Sequence, residues 1–372
     1  VHYARRIEAL RSAFAERQLD VLLVGEPANR EYLTGFGWKD ESAGASSGWV
    51  VLTPRAGYFL TTFNYFAAVL PSLRHLEPVE VPPGKRMIEA LGDLLAKQPG
   101  RRIGFESGWL TVAVHRRLTE ATSNREWVAA DGLVETLRQV KDAEELAVLQ
   151  RSIAVTDQAF TEMIGWIRPG LTERQVAWQL ERALRDLGAE SMAFGPAVAS
   201  GPNAAVPHHE PSDRVIEVGD PVWIDMGGRL GGYCADLTRS FVLEAADPGY
   251  LAQWKLVQQA EEAAIAALRP GMTGAAADDV ARQVIAAAGH GPEFGHGLGH
   301  GVGLAIHEGP MVTRTSDDVL PVGAVVTIEP GIYRANWGGI RHEDVVVIEA
   351  NGTRVLSQAP KAPVVAHGQL IW

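Results

Sequence analysis

Phe294-Gly-His-Gly-Leu-Gly-His-Gly-Val-Gly-Leu-Ala-Ile-His-Glu308 carries a glycine at every second position from Gly295 to Gly303. A period of two belongs to a strand, not to a helix. A helix would also lose about 1 kcal/mol at each glycine relative to alanine. Extended, the stretch turns His296, Leu298, His300 and Val302 to one face. The other face is bare backbone, against which another segment can lie very close. With His307 just beyond, three of the chain's eleven histidines fall within twelve residues. That concentration marks a candidate site rather than a glycine-rich loop with incidental histidines.

The chain has 372 residues, enough for two domains or one large one. Its 34 basic and 45 acidic side chains give a net charge of −11, and no Lys/Arg run interrupts the excess of acid. A nucleic-acid partner is therefore not expected. The single cysteine, Cys234, permits no internal disulfide, fits a reducing compartment and reads as a core thiol. Val1-His-Tyr-Ala-Arg-Arg6 does not read as a signal peptide, and no window reaches the roughly 18 apolar residues of a membrane span. No membrane association is expected, and the cytoplasm is the expected location.

Apolar positions Ile7, Leu10 and Phe14 have helical spacing over residues 4–18. Strands are expected at 20–24, 48–53, 57–61, 78–81 and 102–105, and helices at 85–96 and 109–118. That alternation gives an α/β N-terminal domain over residues 1–138. Its polar segment 37–47 reads as a solvated loop long enough to reach elsewhere. The charged run Arg138-Gln-Val-Lys-Asp142 is the expected boundary. Helices follow at 131–138, 142–167 and, capped by Thr172 and ended by Gly188, at 172–187.

Residues 139–372 repeat themselves. Ile167-Arg-Pro-Gly-Leu-Thr172 matches Leu268-Arg-Pro-Gly-Met-Thr273, and Phe194-Gly195 matches Phe294-Gly295. His209-Glu-Pro211 answers His307-Glu-Gly-Pro310. Val218-Gly-Asp-Pro-Val-Trp-Ile-Asp225 answers Val322-Gly-Ala-Val-Val-Thr-Ile-Glu329. The period, near one hundred residues, is too long for a solenoid. It implies an α+β domain of two halves related by a pseudo-two-fold axis, with helices outside a curved antiparallel sheet.

The repeat makes the acids informative. Asp225 ends an apolar strand and Asp236 lies on the return strand. With an even-length hairpin loop the two share a face. Glu329 and Glu343 sit correspondingly in the second half, and need an odd loop or a bulge around Pro330, Gly331, Gly338 and Gly339. Asp344 points the other way and reads as surface. Four converging carboxylates would repel at about 4 kcal/mol per pair at 4 Å and an effective dielectric of 20. Either some are protonated or cations sit among them. Four carboxylates and one imidazole suit two divalent ions: manganese first, then cobalt, iron or zinc.

The motifs Ile224-Asp225-Met-Gly227, Ala235-Asp236-Leu-Thr-Arg239, His296-Gly-Leu-Gly-His300, Ile328-Glu329-Pro-Gly-Ile-Tyr333 and Gly339-Ile-Arg-His-Glu343-Asp344 resemble those of the metal-dependent Xaa-Pro peptidases, prolidase and aminopeptidase P. The resemblance spans essentially the whole chain. It implies a creatinase/prolidase-type N-terminal domain before a "pita-bread" catalytic domain, and a homodimer in which the 37–47 loop lies near the partner's site. It implies two metals, with Asp236 and Glu343 bridging them, Asp225 on one, and His300 and Glu329 on the other. Hydrolysis of the bond before proline, in an Xaa-Pro peptide, would use a hydroxide shared by the metals. Glu329 is the implied proton shuttle. His307 would steady the oxyanion, His296 would line the substrate channel, and His208 would contact substrate beside a solvated His209. Arg341 and Tyr333 would orient Asp225. Two other readings keep the same residues: a dinuclear hydrolase of another small amide, and a non-catalytic binding protein on this fold. Dipeptidase and aminopeptidase remain alternatives, as does the native metal.

Overall fold

The computed structural model describes residues 3–38, 40 and 42–372. Val1 and His2, on which the signal-peptide reading partly rests, lie outside the described residues, as do Lys39 and Glu41. The chain separates into two compact units, Val1–Arg138 and Gln139–Trp372. Among the described residues no helix is long and apolar enough to cross a membrane.

The first unit is built on the apolar run Val21–Val24. It lies inside a six-stranded sheet ordered Glu77–Glu80, Gly57–Thr61, Gly48–Leu52, Val21–Val24, Arg102–Phe105, Glu126–Ala129. Every residue of Val21–Val24 and Gly48–Leu52 is buried, as expected for strands covered on both faces. Helices Pro27–Thr34 and Phe63–Val69 and strand Glu126–Ala129 are additions to the elements expected from sequence. The strand ends at Val24 and Pro27 opens the next helix: its fixed φ suits the first turn, and the Glu26 carboxylate accepts the Asn29 N–H. Among the described residues of segment 37–47, Trp38, Gly44 and Ala45 are exposed, but Ala43, Ser46 and Ser47 are buried rather than solvated. Asp40 pairs with Arg30 at 2.5 Å with both side chains buried, and accepts the Ser47 N–H at 2.9 Å. Ala43–Ala45 form a 3-10 turn closed onto the same unit, with Ala43 buried.

The second unit repeats, and its hydrogen bonds show it. Gly170 N–H donates to Ile216 O and Gly271 N–H to Leu320 O, both at 2.9 Å. Isolated bridges join Thr172 to Val215 and Thr273 to Val319. Each half places two helices, Ala143–Ile164 with Glu173–Asp186 and Pro248–Ala267 with Gly274–Ala287, against its own apolar core. The sheet is divided: among the described residues two five-stranded sheets form its bulk, beside a three-stranded and a two-stranded one. The first runs Gln369–Ile371, Val364–Ala366, Leu237–Leu243, Pro221–Met226, Ala197–Ser200. The second runs Glu308–Val312, Gly299–Gly301, Val325–Ile328, Asp344–Glu349, Gly352–Val355. One pairing, Leu237–Leu243 with Val364–Ala366, is parallel. The halves join where Glu343 N–H donates to Thr238 O at 3.1 Å and Arg239 Nη1 to Glu343 O at 2.6 Å.

The glycine alternation has a narrower cause than a long strand. Only Gly299–Gly301 is strand. Leu298 enters the apolar core and Val302 is buried, while His296 and His300 line a cavity, so the four residues expected on one face do not share it. A Cβ built on Gly299 would fall well inside 3.0 Å of Thr327 O, and one on Gly301 equally close to Gly309 O. Glycine here admits the backbones of two neighbouring strands.

Candidate metal centre

The site is assembled at strand ends, and the hairpin registers set which side chains meet. Asp225 pairs with Thr238, and the same register continues through Arg229–Cys234 and Leu230–Tyr233 to a two-residue turn. That turn is Gly231-Gly232, with φ of 57° and 82°, the primed geometry that glycine adopts without strain. The even loop puts Asp236 diagonally across from Asp225 on one face. In the second half Ile328 pairs with Asp344 and Gly331 with Arg341, one register on both sides of Glu329 and Glu343. The loop between Arg334 and Gly338 is three residues, so Glu329 and Glu343 stand opposite each other with no bulge. His300 enters from the middle of Gly299–Gly301.

One donor atom each from Asp236, His300 and Glu343 lie within 4.8 Å of one another. His300 Nε2 is 3.4 Å from Glu329 Oε1 and 3.7 Å from Asp236 Oδ2. Its Nδ1 donates to Gly301 O at 3.0 Å, which fixes the tautomer and leaves Nε2 as an acceptor facing the acids. Asp225 and these four line one cavity of about 450 Å³, together with His208, His296, His307 and Arg341. Arg341 Nη2 holds Asp225 Oδ2 at 2.6 Å, and the buried Asp225 Oδ1 has no hydrogen-bond partner.

Burial, then the neighbouring charges of Glu343, Asp225 and Glu329, raises Asp236 well above the usual carboxylate range. Burial and Glu329 do the same to Glu343. Burial, against the opposing pull of Arg341, lifts Glu329 to about 7. His300 is lowered to about 4 by burial, so it is neutral and able to ligate. A cluster of acids this crowded holds protons unless cations replace them. The orphaned Asp225 oxygen, the free imidazole nitrogen and the oxygen-rich donor set fit divalent metal.

Tyr333 stands behind the cavity rather than in its wall. Its hydroxyl accepts from Arg341 Nη1 at 2.7 Å and meets His296 Nε2 at 3.0 Å. His296 Nδ1 donates to Gly297 O at 2.7 Å, so its Nε2 accepts from the tyrosine. The His307 ring meets the His300 ring edge-on, centroids 4.4 Å apart. Two expectations fail. His209 is not solvated: its Nε2 lies 2.8 Å from the buried Glu173 carboxylate. Asp344 points away from the site as expected, but it is buried and paired with Arg239 and Lys361 at 2.8 and 2.7 Å.

Sequence reasoning missed two threonines. Thr238 Oγ1 donates to Glu343 Oε2 at 2.7 Å and accepts from Arg341 Nε at 3.1 Å, so Arg341 reaches both Asp225 and, through Thr238, Glu343. Thr327 Oγ1 accepts the His300 N–H at 3.0 Å and lies 3.2 Å from Glu329 Oε1. Each threonine stands two residues from an acid of the site, Asp236 or Glu329. The period-two rule could therefore have found both.

Residues 147–350 match the model of metallopeptidase family M24, and residues 6–140 that of the creatinase/prolidase N-terminal domain. The chain belongs to metallopeptidase family M24. An Xaa-Pro dipeptidase of Pyrococcus furiosus is 32% identical over 358 residues, 96% of this chain and 98% of the relative. The structure of an Xaa-Pro dipeptidase from Bacillus anthracis superposes with a TM-score of 0.91 at 33% identity, covering 97% of this chain and 99% of the other. An X-Pro aminopeptidase from Thermotoga maritima superposes at 0.85 with 32% identity, covering 95% and 99%. The M24 fold and the buried group of Asp236, His300 and Glu343 together imply divalent metal ions.

Proposed function

We propose that this M24 enzyme hydrolyses the peptide bond before proline, using two divalent metal ions held by Asp225, Asp236, His300, Glu329 and Glu343. The observation that carries the reading is the convergence of those five side chains in one cavity, with a free histidine nitrogen and an unpartnered Asp225 oxygen. Asp236 and Glu343 would serve both ions, with Asp225, His300 and Glu329 completing the set. Four negative charges balance two divalent cations, and manganese suits the oxygen-rich set best. When bound, the pair of cations lowers the pKa of a water shared between them and polarises the scissile carbonyl.

The chain's own groups supply the rest. Glu329 takes the attacking water's proton at its carboxylate and delivers it to the departing prolyl nitrogen. His307 donates a hydrogen bond to the carbonyl oxygen as negative charge builds there. His296 lines the channel and His208 contacts substrate. Arg341, braced by Tyr333, keeps the Asp225 carboxylate correctly turned. Proline makes such an enzyme necessary. Its amide has no N–H for a general peptidase to grip and isomerises slowly.

The printed names of the relatives include both dipeptidase and aminopeptidase. Release of alanine from Ala-Pro and from Ala-Pro-Ala, on manganese-loaded and metal-stripped protein, separates the two. Manganese-dependent cleavage of the dipeptide alone means a dipeptidase, and preference for the tripeptide means an aminopeptidase. No cleavage of either by protein holding two metals refutes the proline reading. A homodimer is proposed on the family resemblance; a sedimentation coefficient of a monomer at micromolar concentration would refute it.

A further inference from the structure

We infer that Glu173 is a positioning residue for substrate binding: its buried carboxylate fixes the segment 200–212, which presents His208 to the cavity. The inference rests on the reading of His208 as a substrate contact. Glu173 opens the helix Glu173–Asp186 and has no exposed surface. Its Oε1 accepts from Ser200 N at 2.8 Å, Ser200 Oγ at 2.7 Å and Asn203 Nδ2 at 3.1 Å. Its Oε2 accepts from Ser212 N at 3.0 Å, Ser212 Oγ at 2.6 Å and His209 Nε2 at 2.8 Å. Both ends of one segment are thus tied to a single carboxylate. Between them Pro207, His208, His209 and Glu210 line the cavity, and Pro207 O accepts from Arg341 Nη1 at 3.3 Å.

The repeat supplies an internal control. Gly274 follows the capping Thr273 as Glu173 follows the capping Thr172, and the helix Gly274–Ala287 starts without a carboxylate. The backbone bonds are matched too: Glu173 N–H donates to Arg214 O and Gly274 N–H to Asp318 O. Helix initiation therefore does not need the acid, whereas the 200–212 segment does. An ionised carboxylate offers about four lone-pair sites to these donors; a glutamine would offer one oxygen and turn its own N–H groups toward donors. Burial alone would push Glu173 up, but the hydrogen bonds from Ser212, His209 and Ser200 hold it below the usual carboxylate range.

The test is a double-mutant cycle of Glu173→Gln with His208→Ala, reading KM and kcat for Ala-Pro on manganese-loaded enzyme, with metal content and melting temperature recorded. Glu173→Gln is expected to raise KM about tenfold while kcat changes less than about threefold, and to add less than about twofold once His208 is alanine. A merely structural loss would multiply with the His208 penalty instead. Multiplying penalties, or an unchanged KM in Glu173→Gln, overturns the inference. An unchanged KM in His208→Ala refutes the substrate contact itself, and is read independently of Glu173. If Glu173→Gln is not recovered folded, Ser212→Ala removes one donor from the same carboxylate and carries the same cycle with the same outcomes.

Discussion

Replacing Gly299 by alanine should disable the metal centre while leaving the fold intact. The added Cβ would lie well inside 3.0 Å of Thr327 O, a backbone atom that no side-chain rotation can move. Relieving the overlap requires Gly299–Gly301 to retreat from Val325–Ile328 by about 1 Å. His300 is the central residue of that short strand and moves with it. Metal–donor distances tolerate only about 0.2 Å, so the ligand would leave its position. A loss of about 10- to 100-fold in metal affinity follows. Overpacking of this kind costs about 1–3 kcal/mol, and a unit of this size then melts about 2–4 °C lower for each kcal/mol. The assay is equilibrium dialysis against limiting manganese followed by elemental analysis, with circular dichroism melting beside it. Gly295→Ala is the control. Gly295 belongs to the same alternation, but its added Cβ would meet nothing within 4 Å, and the variant should bind metal normally. Wild-type metal affinity in Gly299→Ala, or equal losses in both variants, would refute the close-approach argument.

Further outcomes follow from the same geometry. Arg341→Met and Tyr333→Phe should lower Ala-Pro hydrolysis about 10- to 100-fold while most metal stays bound; metal-depleted variants would contradict this. Lys141→Met removes the cation 2.8 Å from the Glu308 carboxylate, in a pair whose side chains are 1% and 6% exposed. It should cost about 3–5 kcal/mol in urea denaturation, and a loss below about 1 kcal/mol would mean that the pair is effectively solvent-screened. In metal-free protein Glu329 holds its proton up to about 7, against an ordinary 4.5, because it is buried. Its contribution of about 3 kcal/mol is full below the unfolded value and is lost as pH rises through 7. Metal-stripped protein should therefore melt lower at pH 8 than at pH 5.5, with saturating manganese reversing the order. A flat pH profile in the stripped protein would contradict it.

Where the sequence was legible, it was legible by counting. Same-face placement of Asp225 with Asp236 needs an even loop, and Gly231-Gly232 supplies it. Opposition of Glu329 and Glu343 needs an odd one, supplied by the three residues after Arg334. The repeat was visible because Arg-Pro-Gly and Phe-Gly each recur about one hundred residues on, and the matched carbonyl bonds of Gly170 and Gly271 give it a physical form. What escaped depended on distant partners. His209 is held by Glu173, 36 residues earlier, and the buried Asp344 by Arg239, 105 residues earlier. No local pattern signals an acid or a base that far along the chain. The division of the sheet escaped for a similar reason: strand alternation gives the buried face but not where one half's ladder stops. Segment 37–47 looked solvated on composition alone, yet one buried pair, Arg30 with Asp40, draws it in.

The most direct test of the central claim is a manganese titration of metal-stripped protein, following alanine release from Ala-Pro at each equivalent added. The five-residue centre predicts no activity without metal and saturation at two equivalents per chain. Activity in the stripped protein, saturation at a single equivalent, or two bound equivalents with no hydrolysis would contradict it.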